Sequence, residues 1–201
     1  MYCILVTGIP AAGKSTMAKE IGKQLNIPVI SKDSIKEILF DTVGFNSRSE
    51  KVALGVGAME IMYYCAEQLM QTGAPFILEN NFENSSKEGL EKILDKYQYT
   101  PITVVMTGDY RVIYERFLER NQSPERHRGH VVNTQYPEVS PTNEVGIVLY
   151  EHFVGGIKHR GMDSFSIGEN RIVVDTTDFS NVDIGTIIQN IRNVVTICQA
   201  C

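Results

Sequence analysis

The sequence predicts an α/β protein, a three-layer αβα sandwich built on a five-stranded, mostly parallel sheet. Short β-rich runs alternate with longer segments of helical periodicity, which is typical of a parallel sheet covered by helices on both faces. A glycine-rich segment, GIPAAGKST at residues 8–16, directly follows the first apolar run. The chain has 201 residues and no internal repeat, so we expect a single domain over residues 1–201.

Each predicted element follows from periodicity and from the residues at its ends. Apolar, β-branched runs predict strands at 2–7, 27–31, 76–79, 102–107 and 171–175. Asp109 is a suitable N-cap for one helix, and Gly73 closes another. Helices are predicted at 14–25, 33–40, 49–71, 86–97, 110–121, 143–154 and 182–197.

Residues 122–142 interrupt this alternation. The segment is polar, contains three prolines and one glycine, and lacks any periodicity. A loop of this length inside a compact domain is usually functional or mobile. We therefore predict a mobile lid insertion at 122–142. His127 and His130 have a metal-like spacing within it, but no further ligand is evident, so both are interpreted as lid residues.

Composition narrows the function classes. The net charge of −5 argues against a face for duplex nucleic acid, because such faces neutralise phosphates with clustered lysines and arginines. No apolar stretch approaches the roughly 20 residues of a membrane span, and no basic flank precedes the first strand. We expect a cytoplasmic protein. Cys198 and Cys201 form a terminal CxxC, but two ligands do not make a zinc site.

The segment at residues 8–16 predicts a phosphate-binding loop. Gly8, Gly13, Lys14 and Ser15 fit G-x-x-x-x-G-K-[ST] between a strand and a helix. Glycines let backbone N–H groups turn inward, and the helix N-terminus adds partial positive charge. The expected nucleotide-binding residues of the loop are Gly8, Ala11, Ala12, Gly13, Lys14, Ser15 and Thr16.

Side-chain chemistry gives three of these residues distinct roles. The Lys14 ammonium can reach the β- and γ-phosphates of a nucleoside triphosphate, and the Ser15 hydroxyl can take one position on Mg²⁺. Thr16 is expected near the α-phosphate. The predicted fold class is therefore that of the P-loop NTPases, with a triphosphate and Mg²⁺ as ligands.

Three classes of protein use such a loop: guanine-specific switches, motor ATPases and kinases of small acceptors. No N-K-x-D segment occurs in the chain, which argues against a guanine switch. The third predicted strand ends in one acid, Glu79, rather than in an acidic pair. A short chain with a polar lid favours a kinase, because kinases must exclude water from the γ-phosphoryl group.

Four segments resemble the small P-loop kinases, a group that includes the polynucleotide 5′-hydroxyl kinase, chloramphenicol phosphotransferase and the zeta-toxin kinases. They are Lys14-Ser15, Ser31-Lys32-Asp33, Glu79-Asn80-Asn81 and Arg120-Asn121. The resemblance covers roughly residues 2–130. It implies ATP rather than GTP as the donor and places the adenine pocket near Asp175 and Thr176.

Asp33 is the candidate catalytic base. It follows a strand predicted beside the strand of the phosphate loop, where ligands bind in open α/β sheets. A carboxylate there can accept the proton of an attacking hydroxyl, and the resemblance implies a catalytic aspartate at this position. Asp33 also suits the N-terminus of the following helix, and the two roles are compatible.

Arginines and one glutamate complete the predicted site. Arg116 and Arg120 lie one helical turn apart, and Arg126 follows in the lid. A planar guanidinium can donate two hydrogen bonds to phosphoryl oxygens, and the resemblance implies a γ-phosphate clamp or adenine contact at Arg120. Glu79 is predicted to hold Mg²⁺ through water or to anchor a base on the substrate side. The predicted catalytic set is Lys14, Asp33, Arg120 and Arg126.

These observations favour an ATP- and Mg²⁺-dependent kinase that phosphorylates a hydroxyl of a small molecule or a nucleotide. Two alternatives stay open. One is a polynucleotide 5′-hydroxyl kinase, against which the acidic charge argues weakly. The other is a regulatory module that senses a nucleotide without turning it over. The chain does not reveal the acceptor or the oligomeric state.

Overall fold

The computed structural model describes residues 1–140 and 146–200, with side chains through Ile197. Within these residues the strands are β1 (Tyr2–Gly8), β2 (Val29–Ser31), β3 (Phe76–Glu79), β4 (Thr100–Thr107) and β5 (Arg171–Asp175). They form one sheet in the order β2-β3-β1-β4-β5, and every neighbouring pair is parallel. The α/β class and the five-stranded sheet are confirmed.

Helices cover both faces of the sheet. They are α1 (Lys14–Leu25), α2 (Lys32–Thr42), α3 (Arg48–Gln71), α4 (Lys87–Tyr97), α5 (Tyr110–Gln122), α6 (Arg128–Val131), α7 (Tyr150–Arg160) and α8 (Ile184–Ala200). Most of them lie within two residues of the predicted bounds.

The side chains of β1 alternate between the two faces of the sheet, and each face has its own hydrophobic core. Ile4 and Val6 point to one face and pack with residues of α1, α5 and α8. Cys3 and Leu5 point to the other face and pack with residues of α3 and α4. All four side chains are fully buried, as expected for a central strand covered on both sides. The result is the predicted three-layer sandwich.

Parallel pairing brings the carboxyl ends of the strands to one edge of the sheet. Val6 of β1 and Ser31 of β2 both register with Glu79 of β3, and Gly8 registers with Met106 of β4. The phosphate loop and the segments that follow β2 and β3 therefore meet at one place. Ligands of open α/β sheets bind at this edge.

One predicted helix is wrong in its bounds. The helix expected at 143–154 begins at Tyr150 and ends at Arg160, and residues 146–149 are not helical. Gly155 and Gly156 lower helix propensity and so suggest an end near residue 154. Packing of Phe153 and Ile157 in the core overrides that local preference. The first residues of the predicted helix lie outside the described ranges.

The described part of the lid segment, residues 122–140, is not wholly irregular. It contains the short helix α6, and Tyr136 forms an antiparallel bridge with Phe45, at the α2–α3 connection. The side chains of the terminal pair, Cys198 and Cys201, lie outside the described residues.

Candidate active site

A cavity of about 570 Å³ opens at the carboxyl edge of the sheet. It brings together most of the residues that the sequence predicted for the site. Those that line it are Ala11, Gly13, Lys14, Ser15, Thr16, Asp33, Glu79, Arg120 and Arg126. Gly8, Ala12, Asp175 and Thr176 do not line this cavity.

The phosphate loop, residues 8–16, is held by backbone geometry. Gly8, Ala11 and Gly13 have positive φ angles of 126°, 65° and 84°. At Gly8 a Cβ would lie 2.0 Å from the Met106 carbonyl oxygen, so only glycine fits beside β4. Ala12 is fully buried and donates its N–H to the Ile9 carbonyl. Gly8 and Ala12 therefore shape the loop rather than line the cavity.

Lys14 lies beneath the loop. Its side chain is almost fully buried, and its ammonium donates a 2.8 Å hydrogen bond to the Ile9 carbonyl oxygen. Burial lowers the pKa of Lys14 to about 8, and the carboxylates of Glu79 and Asp33 oppose this shift. The group is mainly cationic at neutral pH, and an anion in the cavity would favour the charged form further.

Ser15 and Thr16 begin α1 and are exposed to the cavity. Neither hydroxyl makes a hydrogen bond to any other described residue. The first turn of a helix offers free N–H groups and partial positive charge to an anion. These two residues are therefore placed as a phosphate-binding helix start requires.

Asp33 lies in the first turn of α2, directly after the edge strand β2. Burial raises the pKa of Asp33, but surrounding positive charges outweigh it and hold the pKa below its ordinary value. The charge of His130 makes the largest contribution to this lowering, followed by the charges of Lys32, Arg126 and Lys14. Burial opposes the charged form of His130 and lowers the pKa of its imidazole.

Glu79 ends β3 and is almost fully buried at the floor of the cavity. Its carboxylate accepts a 2.6 Å hydrogen bond from the hydroxyl of Ser31 on the neighbouring strand. The Ser31 hydroxyl also accepts from the Ser34 N–H as the N-cap of α2. One serine thus orients the predicted metal carboxylate and the start of the helix that carries Asp33.

Two guanidinium groups enter the cavity without partners. The Nε atoms of Arg120 and Arg126 are buried and make no hydrogen bond within the described residues. Burial lowers the pKa of both groups, that of Arg120 to about 10, and their mutual repulsion adds to the shift at Arg120. Buried N–H donors are normally paired, so this pair indicates an anionic ligand between them.

Oxygen donors suited to Mg²⁺ lie in the same cavity. The Ser15 hydroxyl is free of other hydrogen bonds in the described structure, and the Glu79 carboxylate faces the same space. Among the described residues no group of three or more His, Cys, Asp or Glu side chains could hold a metal ion. Mg²⁺ usually binds one or two protein oxygens and completes its shell with phosphates and water.

The lid segment is fastened to α2 by its histidines. His130 Nε2 lies 2.8 Å from Glu37 Oε1, and His127 Nε2 lies 3.0 Å from Asp41 Oδ1. Both rings pack against Phe40 of α2. His130 lines the cavity together with Asp33, whereas His127 does not.

Lys51 of α3 also holds the lid segment in place through hydrogen bonds. The sequence did not indicate this role. Its ammonium donates to the carbonyl oxygens of His130 and Val132, at 2.8 and 2.5 Å, and to Asn133 Oδ1 at 3.2 Å. Burial lowers the pKa of Lys51 to about 7, and these three acceptors favour its protonated form. The lysine lies about 80 positions before its partners, so no local pattern could reveal the contact.

Asp175 and Thr176 do not line this cavity, and the adenine pocket near them stays a prediction. Thr176 is fully buried and donates its hydroxyl to the Thr107 carbonyl, while Asp175 accepts from the Thr177 N–H. Arg116 lines the cavity and links it to the residues that follow β5. It donates to the carbonyls of Thr176 and Thr177.

Phe179 links the Arg116 region to the phosphate loop. The Arg116 guanidinium carbon lies 4.2 Å from the Phe179 ring centroid. A Cβ on Gly13 would lie only 2.8 Å from an edge carbon of that ring. Phe179 lines the cavity. The sequence did not indicate it as a site residue, because it lies in a polar segment after the last strand.

The fold and the site are those of a P-loop kinase-like protein. The chain belongs to the AAA domain family, whose model matches residues 4–137. This range spans the phosphate loop, Asp33, Glu79 and both unpaired arginines, and it ends within the lid segment.

Solved structures support the same class. A candidate kinase from Chloroflexus aurantiacus is 28% identical, with a TM-score of 0.78 over 96% of this chain and 97% of that one. The APS kinase of Mycobacterium tuberculosis is 14% identical (TM-score 0.55, 97% of each chain covered). The shikimate kinase of Bacteroides thetaiotaomicron is 15% identical (TM-score 0.51, covering 97% and 98%). The last two are similar in fold alone.

A comparison with curated proteins finds no match. Over residues 1–140 and 146–200, no helix has the length and apolar character needed to cross a membrane. Fold, family and structural neighbours together support a nucleotide-binding phosphotransferase.

Proposed function

We propose that this protein is an ATP- and Mg²⁺-dependent kinase that transfers the γ-phosphoryl group to a hydroxyl of a small molecule or nucleotide. One observation carries the proposal. A single cavity is lined by the carboxylate Asp33, by a cationic loop and by Arg120 and Arg126, whose buried Nε atoms have no hydrogen-bond partner among the described residues. Phosphoryl transfer needs such an arrangement, with a proton acceptor on one side and fixed positive charge on the other.

Residues of the phosphate loop would bind the polyphosphate. Backbone N–H groups around Gly13 and the start of α1 surround the phosphate oxygens, and Lys14 reaches the β- and γ-phosphates from below. Arg120 and Arg126 would donate their unpaired N–H groups to the oxygens of the transferring group. Their charges are already in place, so little reorganisation accompanies the reaction.

Ser15 and Glu79 are the residues that would hold Mg²⁺, the former directly and the latter through water. When bound, Mg²⁺ neutralises negative charge on the phosphates. The Ser31–Glu79 hydrogen bond keeps the carboxylate turned toward this position.

Asp33 would accept the proton of the acceptor hydroxyl. As the proton moves to its carboxylate, the acceptor oxygen forms a bond to the γ-phosphorus, and the bond from that phosphorus to the β,γ-bridging oxygen breaks. ADP and a phosphate ester are the products. Arg126 and His130 bring the lid to the same place, which would exclude the water that otherwise competes with the acceptor.

Replacing Asp33 by Asn tests this assignment. We expect the Asp33→Asn variant to bind a non-hydrolysable ATP analogue about as well as the native protein does. Its acceptor-stimulated ADP release should fall by about 10² to 10⁴-fold, because the general base is lost. ADP release is measured over a panel of nucleosides, sugars, hydroxy acids and 5′-hydroxyl oligonucleotides.

Asp95→Asn is the matched control, because Asp95 is exposed on α4 and does not line the cavity. Acceptor phosphorylation at the native rate by Asp33→Asn would contradict the base assignment. Nucleotide binding without ADP release for any acceptor would instead favour the regulatory alternative.

A further inference from the structure

A second cavity adjoins the first at the part lined by Lys32 and Lys36. It has a volume of about 530 Å³ and lies between α2, α3 and the start of α4. Five residues line both cavities, so the two are neighbouring parts of one cleft. They are Lys32, Lys36, Asn80, Asn81 and Glu83. An acceptor whose hydroxyl lies at Asp33 would extend into this second space.

The wall formed by α3 is apolar and exposed. Val52 and Val56, one helical turn apart, are 50% and 58% exposed and line the second cavity together with Met59. Tyr63 continues the wall, and its hydroxyl is already used in a hydrogen bond to the Ser86 carbonyl. Such a surface favours a flat or apolar portion of a ligand over a fully hydroxylated one.

Two ammonium groups lie where the cavities join. Lys36 rests against α3 because Gly55 has no side chain; a Cβ there would lie 3.3 Å from Lys36 Nζ. Neither Lys32 nor Lys36 makes a hydrogen bond or an ion pair within 4.0 Å among the described residues. Burial and the adjacent charge of Lys32 lower the pKa of Lys36 to about 8. A bound anion would favour the charged form of Lys36 and so oppose the effects of burial and of Lys32 on its pKa.

The positive charge of Lys32 and Lys36 is separate from that of the residues proposed to bind the polyphosphate. Lys14, Arg120 and Arg126 line only the first cavity, whereas Lys32 and Lys36 also line the second. Of the acids that line the second cavity, Glu83 is paired with Arg160 at 3.1 Å, and Glu60 forms no ion pair with either lysine within 4.0 Å among the described residues. The Asp33 carboxylate favours the charged form of Lys36 but forms no ion pair with it either. The two lysines are therefore available to the acceptor.

We infer that the acceptor is a small alcohol that carries an anionic group, a carboxylate or a phosphate, next to an apolar or ring-shaped body. Lys36, with Lys32 beside it, would bind the anion, and Val52 and Val56 would contact the body. The inference rests on the proposed function, since it takes the Asp33 side of the cleft as the acceptor side.

Matched pairs of probes test the inference on protein already loaded with a non-hydrolysable ATP analogue. One pair is an aromatic hydroxy acid and its methyl ester, and another is a nucleoside 5′-monophosphate and the nucleoside. Dissociation constants are measured by ligand-observed NMR. We expect the anionic member of at least one pair to bind about 10- to 100-fold more tightly, as a charge-assisted contact provides. The pair that shows the preference identifies carboxylate or phosphate.

Two lysine variants complete the design. Lys36→Met should reduce the preference for the anion to about threefold or less, and Lys36→Gln should do the same with a polar side chain. Lys92→Met, on the exposed face of α4, should leave the preference intact. Binding of the ATP analogue is measured first in every variant, so a failure of the proposed function is seen before any acceptor probe is added.

Three results would overturn the inference. The first is equal binding of charged and neutral partners, or no binding of any anionic probe, by protein that binds the analogue. The second is an anion preference that survives in both Lys36 variants. The third is preferential binding of a 5′-hydroxyl oligonucleotide over all small anions, which would support the strand-end kinase instead.

Discussion

The phosphate loop and the lid segment lie on opposite sides of one cavity but are held by different means. At Gly8 an added Cβ would meet a backbone carbonyl oxygen at 2.0 Å, whereas at Gly129 it would meet the Phe40 ring at 2.3 Å. The loop is thus fixed by its own backbone and by the sheet. The lid is fixed by side chains of α2 and α3.

Because of this difference, we expect the loop to determine whether the nucleotide binds and the lid to modulate how tightly it binds. The loop belongs to the core of the sheet, and the strand before it is buried on both faces. The lid depends on polar contacts such as those of Lys51 and His130, each of which a single substitution can remove. Segments held by few apolar contacts open at lower free energy than core elements do. We therefore expect damage to the loop to abolish binding, and damage to the lid to weaken it.

The largest effect should follow from Lys14→Ala. The ammonium is the cation of the loop, and we expect affinity for a triphosphate analogue to fall by about 100-fold, equivalent to about 3 kcal/mol. The free energy of unfolding should change little, because burial of the charge already works against the native state. Calorimetric titration and chemical denaturation measure the two quantities.

Lys19→Ala, on the exposed side of α1, is the control for the loop variant. Unchanged triphosphate affinity in Lys14→Ala would contradict the assignment of the loop. A large loss of stability in the same variant would show that the lysine serves the fold rather than the ligand.

A smaller and more local effect should follow from Lys51→Met. The variant leaves the His130 and Val132 carbonyls and Asn133 Oδ1 without this donor. We expect the free energy of unfolding to fall by about 1 kcal/mol, since half-buried acceptors lose a charged partner. Because the lid carries Arg126, triphosphate affinity should fall by about 3- to 10-fold. Hydrogen exchange should rise in residues 126–133 and not in α1.

An exposed lysine on α4, Lys87, provides the matched control as Lys87→Met. Faster exchange of α1 to the same extent as the lid would indicate global destabilisation. Unchanged exchange in the lid would mean that the three hydrogen bonds of Lys51 do not fasten it.

The same contrast explains what could be predicted from the sequence. The loop, its strand and its helix are local, because spacing and glycine content specify them, and Asp33 and Glu79 follow from the rule for strand ends. The contacts of Lys51 and of Phe179 join positions far apart in the chain, and nothing in their neighbours marks them. The end of β5 was likewise predicted, but the sequence could not show that Asp175 and Thr176 do not line the cavity.

The smallest predicted effect is the uptake of a proton when the polyphosphate binds. This uptake distinguishes the phosphate-loop side of the cleft from the acceptor side. Lys14 has a pKa of about 8 because of burial, offset in part by Glu79 and Asp33 and reinforced by Arg120 and Arg126. A bound polyphosphate favours the charged form, so its affinity should fall as the pH rises through 8.

At pH 8 about half of the Lys14 side chains are neutral, and binding should take up to about 0.5 proton. Titration in buffers of different ionisation enthalpy measures this number. Lys14→Ala should abolish the uptake, whereas Lys36→Met, whose lysine lies toward the acceptor, should retain it. If Lys36→Met removed the uptake and Lys14→Ala did not, the polyphosphate would lie on the acceptor side of Asp33, and the assignment of the two ends of the cleft would be reversed.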